Sequence, residues 1–226
     1  MTKLTWLSHA SWLIETGDHR VLLDPFFTDN PAAKVSEVDF ADNVSHILVT
    51  HGHFDHVTDV EVIAKRCNSN VVANFEIATW FSGKEVTSTT GMNIGGSIVL
   101  PFGRVQMVPA IHSSGLPDGT YGGCAAGFVL TIQGKRIYFA GDTAYFSDMK
   151  FYASGVDVAV LPIGDLFTMG LDDSIAAIKL IEPKMVLPTH YGTWPPIDQD
   201  ADAWAKQVAQ AGCQAKVLAV GESFSV

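Results

Sequence analysis

The segment between residues 51 and 56 carries four nitrogen and oxygen donors in six positions, namely His51, His53, Asp55 and His56. It follows the apolar run His46–Thr50, which predicts a β-strand, so the donors lie in the loop at a strand end. Residues 51 and 53 project the same way if the strand geometry continues, and Gly52 lets the backbone fold so that residues 55 and 56 face the same cavity. A solvated polar loop would explain single histidines but not this density. The segment therefore predicts a metal site on the rim of a sheet.

Three further donors, His112, Asp142 and His190, also follow apolar runs that predict strands. Taken alone, an Asp after Gly is typical of a turn, and a His at a strand end is typically solvated or hydrogen-bonded. Strand ends on one rim of a sheet can converge, so together with the first segment these residues favour metal ligation. The runs are Val105–Pro109, Arg136–Ala140 and Met185–Leu187.

Short apolar runs alternate with helical patterns along the whole chain. Helices are predicted over Val57–Arg66, from Asp172 or Asp173 to Ile181, and over Ala201–Ala211, and Lys216–Val220 predicts a last strand. No linker rich in Ser, Gly or Pro divides the sequence, so we predict one domain over residues 1–226. Strands with helices interleaved in both halves predict two packed sheets with helices outside.

Charge and cysteine content exclude several classes of function. Fourteen Lys and Arg against 24 Asp and Glu give a net charge of −10, which disfavours nucleic acid and anionic membranes as partners. The three cysteines are widely spaced without a C-x-x-C motif, which disfavours a disulfide scaffold or a cysteine-rich zinc site. The sequence lacks an apolar stretch of 18 residues and the pattern of a signal peptide. We therefore expect a soluble cytoplasmic protein.

The order and spacing of these seven donors resemble the metallo-β-lactamase superfamily, and the resemblance covers essentially the whole chain. It implies an α/β fold, an αββα sandwich of two mixed β-sheets with helices on the outer faces. Phrases such as Leu7-Ser8-His9-Ala10-Ser11 and Pro188-Thr189-His190-Tyr191-Gly192-Thr193 are similar to a branch of small metal-dependent hydrolases related to the ascorbate-6-phosphate lactonases. This branch is largely without assigned substrates.

The resemblance also implies a site for two divalent metal ions. The donors His51, His53 and His112 would hold the first ion, Asp55, His56 and His190 the second, and Asp142 would bridge both. Nitrogen and oxygen donors suit zinc best, with manganese or iron as alternatives. A hydroxide shared by the two ions would attack a small ester, lactone or phosphoester, with Asp55 as the catalytic residue that accepts or relays the proton.

The same seven donors are also compatible with other functions. A glyoxalase II-like thioester hydrolase is weakened because Val57 and Thr58 follow His56, where that family carries two glycines. A redox di-metal protein would usually carry a flavin domain or an altered ligand, and a non-catalytic metal protein would be expected to lose one of the seven donors. The expected partner is a small molecule, and the sequence does not determine whether the protein is a homo-oligomer.

Several residues outside the donor set are secondary candidates. We expect His9 near the metal pocket and Asp24 as a hydrogen-bond partner that orients a metal-binding histidine. Asp165 and the segment Phe167–Gly170 are predicted either to line the substrate pocket or to form a purely structural loop. Tyr191, His9 and a metal-bound water are all candidates to protonate the leaving group. Four apolar side chains are predicted to form pocket walls: Tyr121, Phe167, Met169 and Trp194.

Overall fold

The computed structural model describes residues 1–40 and 42–226 and contains two seven-stranded β-sheets. The first sheet has the order β14-β1-β2-β3-β4-β5-β6, and the second has the order β13-β12-β11-β10-β9-β8-β7. The strands of the first sheet are β1 Thr2–Trp6, β2 Trp12–Thr16, β3 His19–Leu23, β4 His46–Leu48, β5 Asn70–Asn74, β6 Thr89–Met92 and β14 Ser223–Ser225. Those of the second are β7 Ser97–Leu100, β8 Gly103–Pro109, β9 Ala126–Ile132, β10 Lys135–Phe139, β11 Val158–Pro162, β12 Met185–Thr189 and β13 Gln214–Ala215.

Both sheets are mixed, and each changes from antiparallel to parallel pairing at one point. In the first sheet, β14, β1, β2 and β3 pair antiparallel, whereas β3, β4, β5 and β6 pair parallel. In the second, β7, β8, β9 and β10 pair antiparallel, and β10 to β13 pair parallel. The inner parallel strands β4, β11 and β12 are buried on both faces, which explains why they are almost continuously apolar in sequence, whereas the parallel edge strands β6 and β13 are neither.

Alternation along the strands divides the apolar residues between three layers of core. In β4, Leu48 faces the other sheet while Ile47 faces outwards, and Val72 and Val71 of β5 repeat this division. The inward-facing residues of the two sheets pack against each other, with Phe128 of β9 fully buried among them. The two sheets therefore pack face to face over one apolar layer.

Helices cover the outer face of each sheet and complete the predicted αββα sandwich, which confirms the fold class. The first sheet is covered by α2 and α3, and the second by α4, α5 and α6. Within the described part of the chain, no helix is long and apolar enough to cross a membrane. The helices are α1 Phe54–Val57, α2 Val60–Cys67, α3 Phe75–Gly83, α4 Met149–Ala153, α5 Leu171–Ile181 and α6 Ala201–Gln210, and Glu37–Phe40 and Pro195–Ile197 form short 3₁₀ turns.

The helix predicted over Val57–Arg66 is divided in the structure into α1 and α2. The division follows from Asp59, whose backbone N–H donates to the carbonyl of Pro25 and whose carboxylate accepts bonds from Phe27 and Thr28. These bonds fix Asp59 to the loop after β3, so the backbone does not continue as one helix. A periodicity of apolar residues carries no signal for such a tether.

The prediction of a strand over Lys216–Val220 is wrong. These residues cross from the second sheet to the first: β13 pairs with β12 just before them, and β14 pairs with β1 just after them. Leu218 is buried in the layer between the sheets. An apolar pattern of five residues fits either a strand or a buried crossover, and only the hydrogen-bond partners distinguish the two.

The buried crossover predicts a large loss of stability when Leu218 is shortened. We expect Leu218→Ala to lower the free energy of unfolding by about 2–5 kcal/mol, because a cavity remains between the sheets. Val99 is 78% exposed on β7, so Val99→Ala should change the free energy by no more than about 0.5 kcal/mol. Urea denaturation of both variants measures the difference, and equal small losses would contradict the buried position of Leu218.

Candidate metal centre

The seven donors gather on one rim, formed by the loops that follow β4, β8, β10 and β12. Because β4 belongs to the first sheet and the other three strands to the second, the rim joins both halves of the sandwich. Two glycines shape this rim, one in the loop after β10 and one in the loop after β11. Gly141 has a φ of +65° immediately before Asp142, and a Cβ on Gly164 would collide with the carbonyl oxygen of His190.

The loop after β4 is held by hydrogen bonds that aim its donors inward. The backbone N–H and the hydroxyl of Thr50 donate to the carboxylate of Asp24 at 2.8 and 2.6 Å. The N–H of Gly52 donates to Ser114 Oγ at 3.0 Å, which connects this loop to the loop after β8. The short helix α1 then turns His56 into the interior, where it is fully buried.

His51, His53 and His112 form the first donor group. One ligand atom of each lies within 4.8 Å of the others. His51 Nδ1 pairs with Thr50 Oγ1 at 3.0 Å, and His53 Nε2 pairs with Ser113 Oγ at 3.1 Å. The remaining ring nitrogens, His51 Nε2 and His53 Nδ1, face each other at 3.0 Å. Such outer hydrogen bonds fix which nitrogen each ring presents to a metal.

Asp55, His56 and His190 form the second donor group. Asp55 Oδ2 lies 3.7 Å from the Nε2 atoms of both His56 and His190. Asp24 Oδ2 lies 2.9 Å from His56 Nδ1, so the Nε2 atom of that ring points towards the group. The structure thus brings Asp24 to a metal-donor histidine, and the predicted orienting contact is made to His56.

Asp142 lies between the two donor groups. Its Oδ2 atom is 2.9 Å from His190 Nε2 and 3.4 Å from His56 Nε2. The same oxygen is 3.7 Å from His112 Nε2 and 3.9 Å from His51 Nε2. One carboxylate oxygen therefore faces donors of both groups, which is the position a bridging ligand requires.

Several polar atoms at this position lack hydrogen bonds although they are buried. Among the described residues, His56 Nε2, His190 Nε2 and Asp142 Oδ1 make no hydrogen bond of acceptable geometry, although both histidine atoms lie close to Asp142 Oδ2. A buried polar atom without a partner costs about 1–3 kcal/mol, and most native proteins avoid it. Metal ligation would satisfy all three atoms, so the residues fit divalent cations.

The electrostatics of the donors lead to the same conclusion. Burial opposes protonation of His190, but the Asp142 carboxylate outweighs it and raises the pKa of His190 to about 9. Burial also opposes protonation of His56, yet the carboxylates around it, Asp142 foremost, raise its pKa well above the usual value. These two histidines in turn hold the pKa of Asp142 well below its usual range despite burial. The carboxylates thus create a negative potential that attracts protons, and cations can take the place of those protons.

Left-handed backbone also occurs at this rim. His9, Asp24 and His190 all adopt left-handed backbone angles, with φ values of 51°, 46° and 54°. Residues other than glycine adopt this region at a cost of about 1–3 kcal/mol each, and such residues cluster at functional sites. All three are buried and lie within hydrogen-bond distance of a donor or are donors themselves.

A cavity of about 590 Å³ lies over the two donor groups. Its floor includes His53, Asp55, His112, Asp142 and His190, and Ser113 adds a hydroxyl. No Lys or Arg belongs to the described lining. The apolar walls are Phe54, Pro117, Phe167, Trp194, Pro196 and Ile197.

Four predicted pocket residues lie elsewhere, which corrects their assignment. Asp165 is exposed in a tight turn, where its carbonyl accepts the N–H of Thr168 at 2.9 Å, and it does not line the cavity. Tyr191 stacks on Trp6 with ring centroids 5.1 Å apart, and burial raises its pKa to about 12. Its hydroxyl is therefore neither in the cavity nor a ready acid. Met169 is buried in the outer core, and Tyr121 lines a neighbouring groove.

His9 makes contacts that its sequence context does not specify. Its Nε2 atom lies 2.9 Å from Asp55 Oδ2, and its Nδ1 atom lies 2.9 Å from Thr193 Oγ1. Burial is the main cause that lowers the pKa of His9 to about 4. Neither Thr193 nor Phe54 was predicted as a site residue, although Phe54 lies inside the donor motif. The one signal for Phe54 in the sequence is an aromatic side chain between the donors His53 and Asp55.

Comparison with known proteins places this geometry in a family. A family model described as a β-lactamase superfamily domain matches residues 19–191. A UPF0173 metal-dependent hydrolase of Thermus thermophilus is 45% identical over 225 residues, which cover 98% of both chains. A UPF0173 metal-dependent hydrolase of Flavobacterium johnsoniae is 42% identical over 226 residues, covering 99% of this chain and 100% of the relative.

Solved structures agree with the sequence relatives. A metallo hydrolase from the archaeon Ignicoccus hospitalis is 32% identical, with a TM-score of 0.89 and coverage of 100% of this chain and 99% of that one. The metallo-β-lactamase fold protein YhfI of Bacillus subtilis is 14% identical and shares the fold, with a TM-score of 0.80 and full coverage of both chains. The chain therefore belongs to the metallo-β-lactamase superfamily and, within it, to the UPF0173 metal-dependent hydrolases.

Proposed function

We propose that this protein hydrolyses a small, uncharged ester or lactone at a site of two divalent cations, zinc in the first instance. The observation that carries the proposal is the composition of the cavity. Metal donors form its floor, apolar side chains form its walls, and no cationic side chain belongs to its described lining. A substrate that fits this cavity is a small molecule with one polar, hydrolysable group and an apolar remainder.

The donors divide naturally between two cations. The first donor group, His51, His53 and His112, would hold one, the second donor group, Asp55, His56 and His190, would hold the other, and Asp142 would belong to both. Histidine and carboxylate donors without sulfur suit zinc, and manganese or iron would also fit them. When bound, two such cations lower the pKa of a shared water towards about 7 and polarise the substrate oxygen.

Asp55 is the residue that we propose as proton acceptor. It lines the cavity, and its carboxylate is positioned by a hydrogen bond from His9. Asp142 is the other carboxylate of the lining, but its Oδ2 atom is enclosed by histidines of both donor groups. Asp55 can therefore accept a proton from the attacking water while Asp142 stays a fixed ligand.

The walls favour a carbonyl substrate over a phosphoester. Phe54 and Trp194 lie with ring centroids 6.0 Å apart on one side of the cavity, and Phe167 is 58% exposed on the wall. Phosphate groups are usually bound by Arg, Lys or a helix N-terminus, and the described lining offers no Arg or Lys. The net charge of −10 adds repulsion towards multiply charged anions.

A substrate panel tests the proposed function directly. Lactones, aryl esters, thioesters, phosphodiesters and β-lactams are assayed with the zinc-loaded and the manganese-loaded protein. We expect the highest kcat/KM with aryl esters or lactones that carry an apolar group, because such a group is removed from water against the walls. Turnover of phosphodiesters alone would refute the carbonyl-centred proposal while leaving the metal site intact.

Removal of the shared carboxylate should affect both cations. We expect about two zinc equivalents in the unaltered protein and less than one in Asp142→Ala, because one oxygen faces both donor groups. His112→Ala should retain about one equivalent, since it removes a donor from the first group only.

Elemental analysis after purification without chelator measures these contents. Asp157→Ala is the matched control, because Asp157 forms an ion pair with Lys184 at 2.8 Å away from the rim and its loss should leave metal content unchanged. Equal zinc contents in Asp142→Ala and His112→Ala would contradict a bridging role.

Shortening the cavity wall should alter substrate binding without altering the metal. Phe167→Ala should lower kcat/KM for an apolar aryl ester by about tenfold, which corresponds to about 1.4 kcal/mol of lost contact. Its zinc content should equal that of the unaltered protein. Phe151 is 81% exposed on α4 and does not line the cavity, so Phe151→Ala is the matched control. An unchanged kcat/KM in Phe167→Ala would remove this wall from the binding site.

A further inference from the structure

We propose that His9 is a positioning residue that orients Asp55 for the second cation and couples it, through Thr193, to the loop that forms one cavity wall. The inference rests on the proposed two-cation function. It adds a residue outside the seven donors that influences binding of the second cation. It is carried by one buried ring that contacts a donor carboxylate on one side and a wall loop on the other.

Both ring nitrogens of His9 are engaged, which determines its protonation pattern. Nε2 lies 2.9 Å from Asp55 Oδ2, and a carboxylate accepts, so Nε2 carries the proton. Nδ1 then accepts the hydroxyl proton of Thr193 at 2.9 Å. A neutral His9 satisfies both contacts at once, and the chain Thr193–His9–Asp55 has a single direction of donation.

The backbone of His9 is fixed as firmly as its ring. Its carbonyl oxygen accepts bonds from Trp6 Nε1 at 2.9 Å, from Thr189 Oγ1 at 2.7 Å and from the N–H of His190 at 2.9 Å. His9 thus contacts the donor His190 through its backbone and the donor Asp55 through its side chain. Ser8 and His9 maintain this arrangement with φ values of 96° and 51°. Strain of this kind persists where surrounding contacts determine the conformation.

A direct chemical role for His9 does not fit its surroundings. Its side chain is 0% exposed and does not line the cavity, so it cannot protonate a leaving group there. A ring nitrogen of His9 lies within 4.8 Å of ligand atoms of Asp55, His56 and His190, but a cation bound at Nε2 would displace the hydrogen bond that His9 gives to Asp55. The contacts therefore favour a role that acts through Asp55.

Thr193 extends the influence of His9 to the cavity wall. It is the neighbour of Trp194, whose ring lies 5.1 Å from that of His9 and 6.0 Å from that of Phe54. Movement of the wall loop would pull on the Thr193 hydroxyl and, through His9, on the Asp55 carboxylate. Affinity for the second cation and the shape of the wall are then linked quantities.

Two substitutions that differ by one methylene test the inference. The amide of His9→Gln reaches as far as Nε2 and can still donate to Asp55, whereas the shorter amide of His9→Asn reaches only as far as Nδ1. Asn is enriched in left-handed backbone, so His9→Asn should keep the local fold that a φ of 51° requires. A difference between the two variants therefore reports the hydrogen bond to Asp55 rather than loss of the fold.

The measurement is a zinc titration of the chelator-treated protein against a competing dye, which yields two dissociation constants. We expect His9→Asn to raise the dissociation constant for zinc at the second donor group by about 10–100-fold, which is the usual effect of losing an outer hydrogen-bond partner. The dissociation constant for the first donor group should stay within about threefold of its original value. His9→Gln keeps a donor to Asp55 but loses the acceptor for Thr193, so it should change the constant for the second donor group only as much as Thr193→Val does, and less than His9→Asn. Thr193→Val should also lower the zinc affinity of the second donor group. The double variant with His9→Asn should bind zinc no more weakly than His9→Asn alone.

His46→Asn is the matched control, because His46 is a buried histidine on β4 that pairs with Ser45 outside the rim. It should leave both zinc constants unchanged. An unweakened second constant in His9→Asn, or equal weakening in His9→Gln and His9→Asn, would overturn the inference while the two-cation function stands. An unaltered protein that binds only one zinc would overturn the proposed function, and with it this inference.

Discussion

Asp142 is buried among histidines that come from both sheets, and the packing of the two sheets determines which groups surround its carboxylate. His51 and His56 reach it from the loop after β4, and His112 and His190 reach it from the second sheet. A buried charge is tolerated only when it is paired or binds a metal. The face-to-face packing of the sheets therefore brings together polar groups that would be costly to bury separately, and a bound metal would compensate their charge.

The hydrogen bonds around the donors form an outer layer that orients the histidine rings towards the centre. Thr50, Ser113 and Asp24 each contact the ring nitrogen that faces away from the centre, so the other nitrogen of each histidine faces inward. Thr50 also donates to Asp24, which connects the supports of two histidines. Orientation is thus set before any cation arrives, and this preorganisation reduces the entropy that binding must overcome.

The fold and the gathering of the donors could be predicted because they depend on local patterns. Apolar runs mark the strands, and donors such as His112 and Asp142 directly follow those runs, so strand ends on one rim bring them together. Contacts between residues that are distant in the sequence have no such local pattern. Asp165 and Tyr191 follow strands as the donors do, yet one lies in an exposed turn and the other stacks on Trp6. The crossover around Leu218 has the same apolar composition as a strand, and only its hydrogen-bond partners differ.

The pairing of β14 with β1 has a consequence for how the chain is made. Lys3 lies opposite Ser225, so β1 lacks this neighbour until residues 223–225 have been synthesised. At about 5–20 residues per second, this edge stays open for many seconds. The same order applies to the metal centre, because a nascent chain acquires its last donor only when residue 190 emerges. The donor set is therefore completed late in biosynthesis, and a ribosome-bound chain with only the His51–His56 segment exposed carries an incomplete set of donors.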